Sequence, residues 1–295
     1  MNAREEGFLL LSSTLGAAQR KVLTTSQLRT LALRVAAMDR PEVDRDLTPA
    51  DLAAMGYGPE MAERIAKLMD DTALLQHYLR QGKNAGCVPV TRVSEGYPAT
   101  LRRRLGLDSP GVLWAKGDLS VLKKPMIALV GSRDIAAPNR KFATQAGQQA
   151  ARQGYVLVSG NARGADRIAQ EACLAEGGQV ISIVADELGK QEEKKNVLYL
   201  SEGGFDEPFS SVRALSRNRV IHALGEKVLV AQCSLGMGGT WSGTVRNLKE
   251  GWSPVFCFRD GSEAAIQLEQ LGAGGIDLQD LEKIDQLQPN TTSFL

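Results

Sequence analysis

Met126-Ile127-Ala128-Leu129-Val130-Gly131-Ser132-Arg133 and, one helix later, Tyr155-Val156-Leu157-Val158-Ser159-Gly160-Asn161-Ala162-Arg163-Gly164-Ala165-Asp166 decide how this chain is read. Each is an apolar run of strand length that ends in Gly and Ser with an Arg close behind. The polar helical pattern between them, roughly residues 139–153, makes them two parallel strands joined by a crossover helix. In such sheets ligands lie outside the carboxyl ends of the strands. Both clusters then share one edge, beside helix N-termini whose free N–H groups favour anions. The pair reads as a phosphate site.

The alternation continues downstream. A helix over 165–176 leads to a strand at 180–184, and a charged loop over 186–196 leads to another at 197–200. A helix over 211–224, a strand over 227–231, a glycine loop with a helix to Glu250, a strand over 255–258 and a helix over 264–271 follow. This succession predicts an α/β protein built on a doubly wound, mostly parallel sheet with right-handed crossovers. Upstream, 87–90 and 110–117 read as strands around a short helix over 97–105, and residues 82–86 read as a linker. Residues 1–85 read as helices over 6–19, 26–38 and 61–79. Thr48 caps a further helix that starts at Pro49, and Gly56-Tyr57-Gly58 makes a turn. Short helices with glycine turns are similar to sterile-alpha-motif or helix-hairpin-helix modules. The expected division is a helical interaction domain over 1–85, an α/β domain over 86–280 and a polar tail over 281–295.

A length of 295 residues allows two domains, and 43% hydrophobic with 23% charged residues is an ordinary globular composition. No apolar run approaches the roughly 18 residues of a spanning helix, and the first residues lack a secretory pattern. Cys87, Cys173, Cys233 and Cys257 are scattered, with no CxxC pair. Buried thiols in a reducing compartment are expected, hence a cytoplasmic protein with no membrane partner. The net charge of +1 is uneven: residues 86–125 carry +4, residues 126–259 carry +3 and residues 260–295 carry −6. The middle of the chain can supply the basic patch that a nucleic-acid binder needs; the acidic end cannot.

Four clusters can carry chemistry. Gly131, Ser132 and Arg133 offer backbone N–H groups and a guanidinium, as does an ordinary loop. In the second, Ser159, Gly160, Arg163, Gly164 and Asp166, the carboxylate either caps the next helix or faces a ligand, and Arg163 either pairs with it or binds. In the third, Arg213 and Arg217 fall on the apolar stripe of Val220, Ile221 and Leu224, while Arg219 points away. A buried guanidinium needs a partner, either an acidic side chain or a ligand phosphate. The fourth, residues 236–244, lacks the lysine of a P-loop and the spacing of a dinucleotide fingerprint. It still offers a nest of N–H groups around Gly238, Gly239 and Thr240. The three arginines 102–104 make either a solvated helix face or phosphate contacts. His77 and His222 read as structural or exposed, with no Ser–His or Cys–His pairing and no metal-ligand spacing, so no catalytic residue, metal or cofactor is expected.

The block from Gly96-Tyr97-Pro98-Ala99-Thr100-Leu101 through Leu113-Trp114-Ala115-Lys116-Gly117-Asp118-Leu119 to Ala128–Arg133 resembles the bacterial DNA-processing protein A (DprA/Smf) family. So do Val158–Asp166 and Arg217-Asn218-Arg219-Val220-Ile221. The likeness runs over about residues 85–275. It implies an extended Rossmann-like fold that binds single-stranded DNA by its phosphates in a basic pocket. It also implies a homodimer, and delivery of strands to a RecA-type recombinase during uptake of transforming DNA. Gly131, Ser132, Arg133, Ser159, Gly160, Arg163, Asp166, Arg217 and Arg219 match the family's motif positions, and Ser242, Gly243 and Thr244 match its Ser-Gly-Thr loop.

The sequence departs from the family at Asn161 and Ala165, where Leu and Ile are usual, and at Gln232, where an acid is expected. Arg259-Asp260-Gly261 replaces a Pro-Gly, the loop after Val184 lacks a Tyr-Pro, and no winged-helix pattern follows residue 280. These departures leave open a defence or toxin–antitoxin module with a partner protein bound instead. A nucleotide sensor or nucleotide hydrolase on the same fold is the rival. Gly238-Gly239-Thr240 approaches the loop of the lysine-decarboxylase-like phosphoribohydrolases, yet no Glu follows until Glu250. An interaction subunit built on the helical domain is the third reading.

Overall fold

The computed structural model describes residues 1–38 and 47–289. Among them, nine strands form one sheet: β1 (Val88–Thr91), β2 (Val112–Lys116), β3 (Met126–Val130), β4 (Val156–Ser159), β5 (Gln179–Ile183), β6 (Val197–Ser201), β7 (Lys227–Val230), β8 (Val255–Phe258) and β9 (Gly274–Ile276). Their order is β1-β2-β6-β5-β4-β3-β7-β8-β9. β1 and β2 pair antiparallel, as do β2 and β6, and every other pair is parallel. Residues of β2, β3, β4, β6 and β8 are buried along their whole length, as a sheet covered on both faces demands. From β3 the chain winds outward through β4, β5 and β6, then crosses back to β7 on the other side of β3. The strand order therefore reverses beside β3, where doubly wound sheets leave a crevice for ligands.

The helices are α1 (Ala3–Ser12), α2 (Thr25–Ala36), α3 (Pro49–Ala54), α4 (Pro59–Asp70), α5 (Thr72–Asn84), α6 (Ala99–Leu105), α7 (Ala137–Arg152), α8 (Ala165–Ala175), α9 (Ser211–Ser216), α10 (Asn218–Leu224), α11 (Gly238–Glu250) and α12 (Glu263–Gln270). One sheet face is covered by α7 and α8, whose buried residues include Ala143, Ala146, Ala150 and Ala169. Small side chains let the two helices lie close: a Cβ on Gly147 of α7 would strike the Ala169 carbonyl of α8. Leu101 and Leu105 of α6, Val220, Ile221 and Leu224 of α10, and Leu268 of α12 cover the other face. The doubly wound sheet expected from the alternation is thus what the chain forms.

Several boundaries differ from the sequence reading, each for a local reason. The expected helix 6–19 stops at Ser12, since Ser13 is extended and Leu15 sits at φ 52. The expected helix 61–79 is two helices broken at Asp71, where Arg20 bonds the Asp71 carboxylate at 2.8 Å and the Leu68 carbonyl at 2.9 Å. Residues 82–86 are not a free linker. α5 runs on to Asn84, and a Cβ on Gly82 would stand 2.5 Å from the Trp114 ring. That glycine marks a close approach, and Tyr78, Trp114 and Phe205 pack there with ring centroids 4.8–5.4 Å apart. Leu9, Leu10 and Leu75 join the same core, so the helical front and the sheet are packed together. The polar tail expected from residue 281 begins instead as a 3₁₀ turn over Gln279–Gln286 with Leu281, Ile284 and Leu287 buried; residues 290–295 lie outside the described residues. The expected helix 211–224 is broken at Arg217 into α9 and α10. The three arginines split their tasks. Arg104 donates to the Ala223 and Gly225 carbonyls at the end of α10, and Arg102 donates to the Arg92 carbonyl.

His222 of α10 is fully buried. Ser253 N donates to Asn247 Oδ1 at 3.0 Å, so Asn247 Nδ2 is the donor that meets His222 Nδ1 at 3.1 Å. An imidazole that accepts there is neutral, and burial pulls its pKa down to about 4. Unfolding frees it to titrate near its ordinary 6.5. The stability it contributes is fully present above pH 6.5 and is lost as the pH falls towards 4, a change of about 3 kcal/mol. Unfolding free energies from denaturant titrations are expected to fall by about 3 kcal/mol more in the wild type than in His222→Gln between those pH values; equal losses would refute it.

Candidate nucleic-acid interface

At the carboxyl ends of β3, β4 and β7 lies a cleft of about 560 Å³. Its floor is built by two interlocked loops. Gly164 sits at φ 87, and a Cβ there would run into the carbonyl oxygens of Ser132 and Arg133. Ala165 N donates to the Ser132 carbonyl at 3.1 Å across the same junction. A Cβ on Gly131 would in turn strike Ala165. Asn161, at φ 58, takes a left-handed conformation that Asn tolerates better than most residues. Gln232, which stands where the family has an acid, holds the Gly131–Ala136 loop. Its carbonyl accepts from Ser132 N at 2.9 Å and its Oε1 accepts from Ala136 N at 2.9 Å.

Two charged groups meet over Gly160. A Cβ on that glycine would stand 2.8 Å from Asp166 Oδ2 and 2.9 Å from Arg217 Nη2. Asp166 is 6% exposed and accepts from Ala162 N at 3.2 Å. Burial pushes its pKa up to about 6, against the opposing pull of Arg217. Arg217 is 9% exposed, donates from Nη1 to the Ile183 carbonyl at 2.8 Å, and keeps a buried Nε with no partner among the described residues. Burial pulls its pKa down, and Asp166 and Asp186 hold it up. Arg133 also lines the cleft, with its side chain exposed. On the far wall, α11 begins without a side-chain cap, so the N–H groups of Gly238, Gly239 and Thr240 head its first turn beside the cleft. Thr240 Oγ1 donates to the Gly131 carbonyl at 3.1 Å and ties this helix to the first loop.

The structure thus gathers Gly131, Ser132, Arg133, Gly160, Asp166, Arg217, Gly238, Gly239 and Thr240 at one cleft. Other expected site residues lie elsewhere. Ser159 is fully buried and accepts from Gln170 Nε2 at 2.8 Å. Gly164 serves the loop contact. Arg163 is exposed at the rim, paired with Asp134 at 2.9 Å rather than with Asp166. Arg219 does not point away to solvent. Its guanidinium pairs with Glu202 at 2.5 Å, and Arg219 Nε donates to the Asp108 carbonyl. A carboxylate half-buried at the end of β6 needs a cation, and Arg219 is that cation. Ser242, Gly243 and Thr244 lie further along α11: Ser242 is exposed, Gly243 abuts Asn218, and Thr244 is fully buried.

The sequence reading missed the lip opposite Arg133. Phe209, Leu215 and Met237 line the cleft, and Val212 extends the lip along α9; all four are exposed, Met237 to 69%. The available signal was that Val212 and Leu215 fall off the stripe of Val220, Ile221 and Leu224, so the core has no use for them.

Comparison with known proteins agrees with this fold. The model of a family described as DNA recombination-mediator protein A matches residues 89–259, more than half of the chain. The DNA processing protein DprA of Bacillus subtilis (strain 168) is 31% identical over 171 residues, which cover 54% of this chain and 55% of that protein. The chain spans about half the length of the curated relatives it matches. Among solved structures, DNA processing protein A (DprA) from Streptococcus pneumoniae superposes with a TM-score of 0.74 at 25% identity, covering 98% of this chain and 99% of that one. DNA processing protein A from Helicobacter pylori, solved for its mode of binding single-stranded DNA, superposes with a TM-score of 0.56 at 24% identity. That match covers 67% of this chain and 94% of its own.

If the loop contact builds the cleft, Gly164→Ala is expected to cost about 1–3 kcal/mol in chemical denaturation, since it adds both a strained φ and a clash with backbone. Ser242→Ala should stay within about 0.5 kcal/mol. A Gly164→Ala protein as stable as the wild type would contradict the interlock.

Proposed function

We propose that this chain, which belongs to the DNA recombination-mediator protein A family, is a non-catalytic binder of single-stranded DNA that takes backbone phosphates into the cleft at the ends of β3, β4 and β7. The observation that carries this reading is Arg217: a guanidinium nine-tenths buried, opening on the cleft, with an Nε that no protein group satisfies. An unpaired buried donor costs about 1–3 kcal/mol, and more when charged. A phosphate oxygen in the cleft would compensate the buried charge through charge-assisted bonds to the guanidinium. Arg133 and the bare first turn of α11 add donors around the same space. Exposed Arg140, Lys141 and Arg167 in the early turns of α7 and α8 extend the positive charge beyond it.

The apolar lip argues for a single strand over a duplex. Unpaired bases carry exposed ring faces that stack on apolar side chains, whereas a duplex hides them. Phe209, Leu215 and Met237 offer such a surface next to the phosphate groups. Single-stranded DNA is also the ligand named for the Helicobacter pylori relative. Within this reading the chain acts in DNA processing and recombination in the cytoplasm, as a homodimer, and presents its strand to a RecA-type recombinase. Residues 1–85 then serve as an interaction module. The acids lining the cleft are Asp134 and Asp166, and neither histidine is among its lining residues, so nothing there resembles the Glu-bearing loop of a nucleotide hydrolase.

A salt titration of binding to an oligothymidylate, its duplex and thymidine 5′-phosphate tests the reading. Affinity for the single strand should exceed that for the duplex. It should fall steeply with salt, by a log–log slope of about −0.7 per phosphate neutralised. Arg133→Ala and Arg217→Ala should each weaken binding by about 1–3 kcal/mol. Arg219→Ala should leave binding nearly unchanged while lowering stability, because Glu202 loses its cation. Salt-independent binding, or full affinity in folded Arg217→Ala, would defeat the phosphate site.

A further inference from the structure

A site evolved to hold any anion has little use for a buried carboxylate, yet Asp166 lines this one at 6% exposure. Its hydrogen bond from Ala162 N at 3.2 Å closes the loop that precedes α8. A neutral Asn can accept that bond equally well, so loop closure does not explain a charge. We propose that Asp166 is a specificity-determining residue of the cleft, selecting the single negative charge of a phosphodiester over the double charge of a phosphate monoester. This inference rests on the reading of the cleft as a phosphate site.

The charges facing Asp166 come from two elements. Arg217 reaches it from the junction of α9 and α10, and Arg133 from the loop after β3. Arg217 is further influenced by Asp186, just after β5, and by Arg213 of α9. Arg213 is engaged by Glu207 and by the Ala185 carbonyl, away from the cleft. At the rim, Asp134 and Arg163 form an ion pair and cancel. Asp186 is exposed and is not among the residues that line the cleft. Of the lining charges, two guanidiniums and one carboxylate remain, with a net charge of +1. A phosphodiester brings one negative charge and is balanced. A phosphate monoester, whose second pKa is about 6, brings nearly two at pH 8. The excess charge then lies beside a buried carboxylate, where low dielectric magnifies repulsion. Burial keeps the Asp166 pKa at about 6, so the carboxylate is ionised under the same conditions. The device favours the interior of a strand over phosphorylated ends and free mononucleotides.

Thymidine 5′-phosphate and its 5′-methyl ester differ by one methyl group and one charge, and each can displace a labelled oligothymidylate at about pH 8. In the wild type the methyl ester is expected to compete about tenfold more strongly. In Asp166→Asn the ratio should fall to within about twofold, with the monoester gaining. Asp166→Ser serves as the second variant, and thermal unfolding shows which variants are folded. An unchanged ratio in a folded variant overturns the proposal, and a wild-type ratio near one overturns it with no variant needed. If the oligonucleotide binds but neither small ligand displaces it, the proposal fails while the DNA reading stands. If the oligonucleotide itself does not bind, the phosphate site fails and the proposal with it.

Discussion

The carbonyl oxygens of Ser132 and Arg133 approach Gly164 so closely that no side chain can stand there, and that approach fixes the rest of the cleft. It sets the loop after β3 against the loop after β4. The start of α8 then brings the Asp166 carboxylate beneath Gly160, where Arg217 arrives from the other side of the sheet. None of this needs a long side chain to find its place. Backbone meets backbone, and a rigid parallel sheet fixes the two loop origins in register, with Met126 opposite Val156 and Ala128 opposite Val158. Groups held this way lose little conformational freedom when a ligand arrives, which is the physical content of preorganisation.

The paired strands and their Gly-Ser-Arg endings were legible in the sequence because a buried parallel strand leaves a continuous apolar run. The fold followed from their alternation with helices, and Arg217 was assigned inward from its spacing to Leu224. Arg219 went wrong for the complementary reason. A helical wheel scores a residue against its own helix, and the Glu202 that holds the Arg219 guanidinium is distant in the chain and adjacent only in the fold. Gly82 was misread in a similar way. A glycine that admits a Trp ring and a glycine that loosens a linker look identical until Trp114 is seen beside it. The same limit hid Leu281, Ile284 and Leu287, three apolar residues spaced through an acidic stretch that only the sheet-face core explains.

The arginines show how charge is apportioned by geometry rather than by count. Arg104 satisfies the carbonyls at the end of α10, and Arg20 braces the break between α4 and α5. Arg219 neutralises Glu202, and Arg163 is held at the rim by Asp134. Each is held by a protein acceptor. Arg217 differs because it is buried at the cleft and its Nε has no partner among the described residues. In a folded chain nearly every buried donor finds an acceptor; Arg217 Nε is one of five buried side-chain atoms without one among the described residues, and the one that belongs to a charged group lining the cleft.

The departures from local consistency gather at the same edge. Asn161 is left-handed, Asp166 is an acid with its pKa pushed up to about 6, Arg217 Nε lacks a partner, and Phe209, Leu215 and Met237 stand in solvent. Away from that edge departures are scattered singly, such as Leu15 and Asn196 at positive φ and Trp114 Nε1 without a partner, while α1, α2 and α3 carry capping boxes and the cysteines are free and inside. Sequences that specify one structure violate such rules mainly where function demands it. Apolar lip, basic loop and buried acid therefore form one composite feature. An apolar lip alone would suit a protein partner, and a basic loop alone any anion. Under the proposed reading, a flexible polyanion with exposed bases and one charge per phosphate uses all three together.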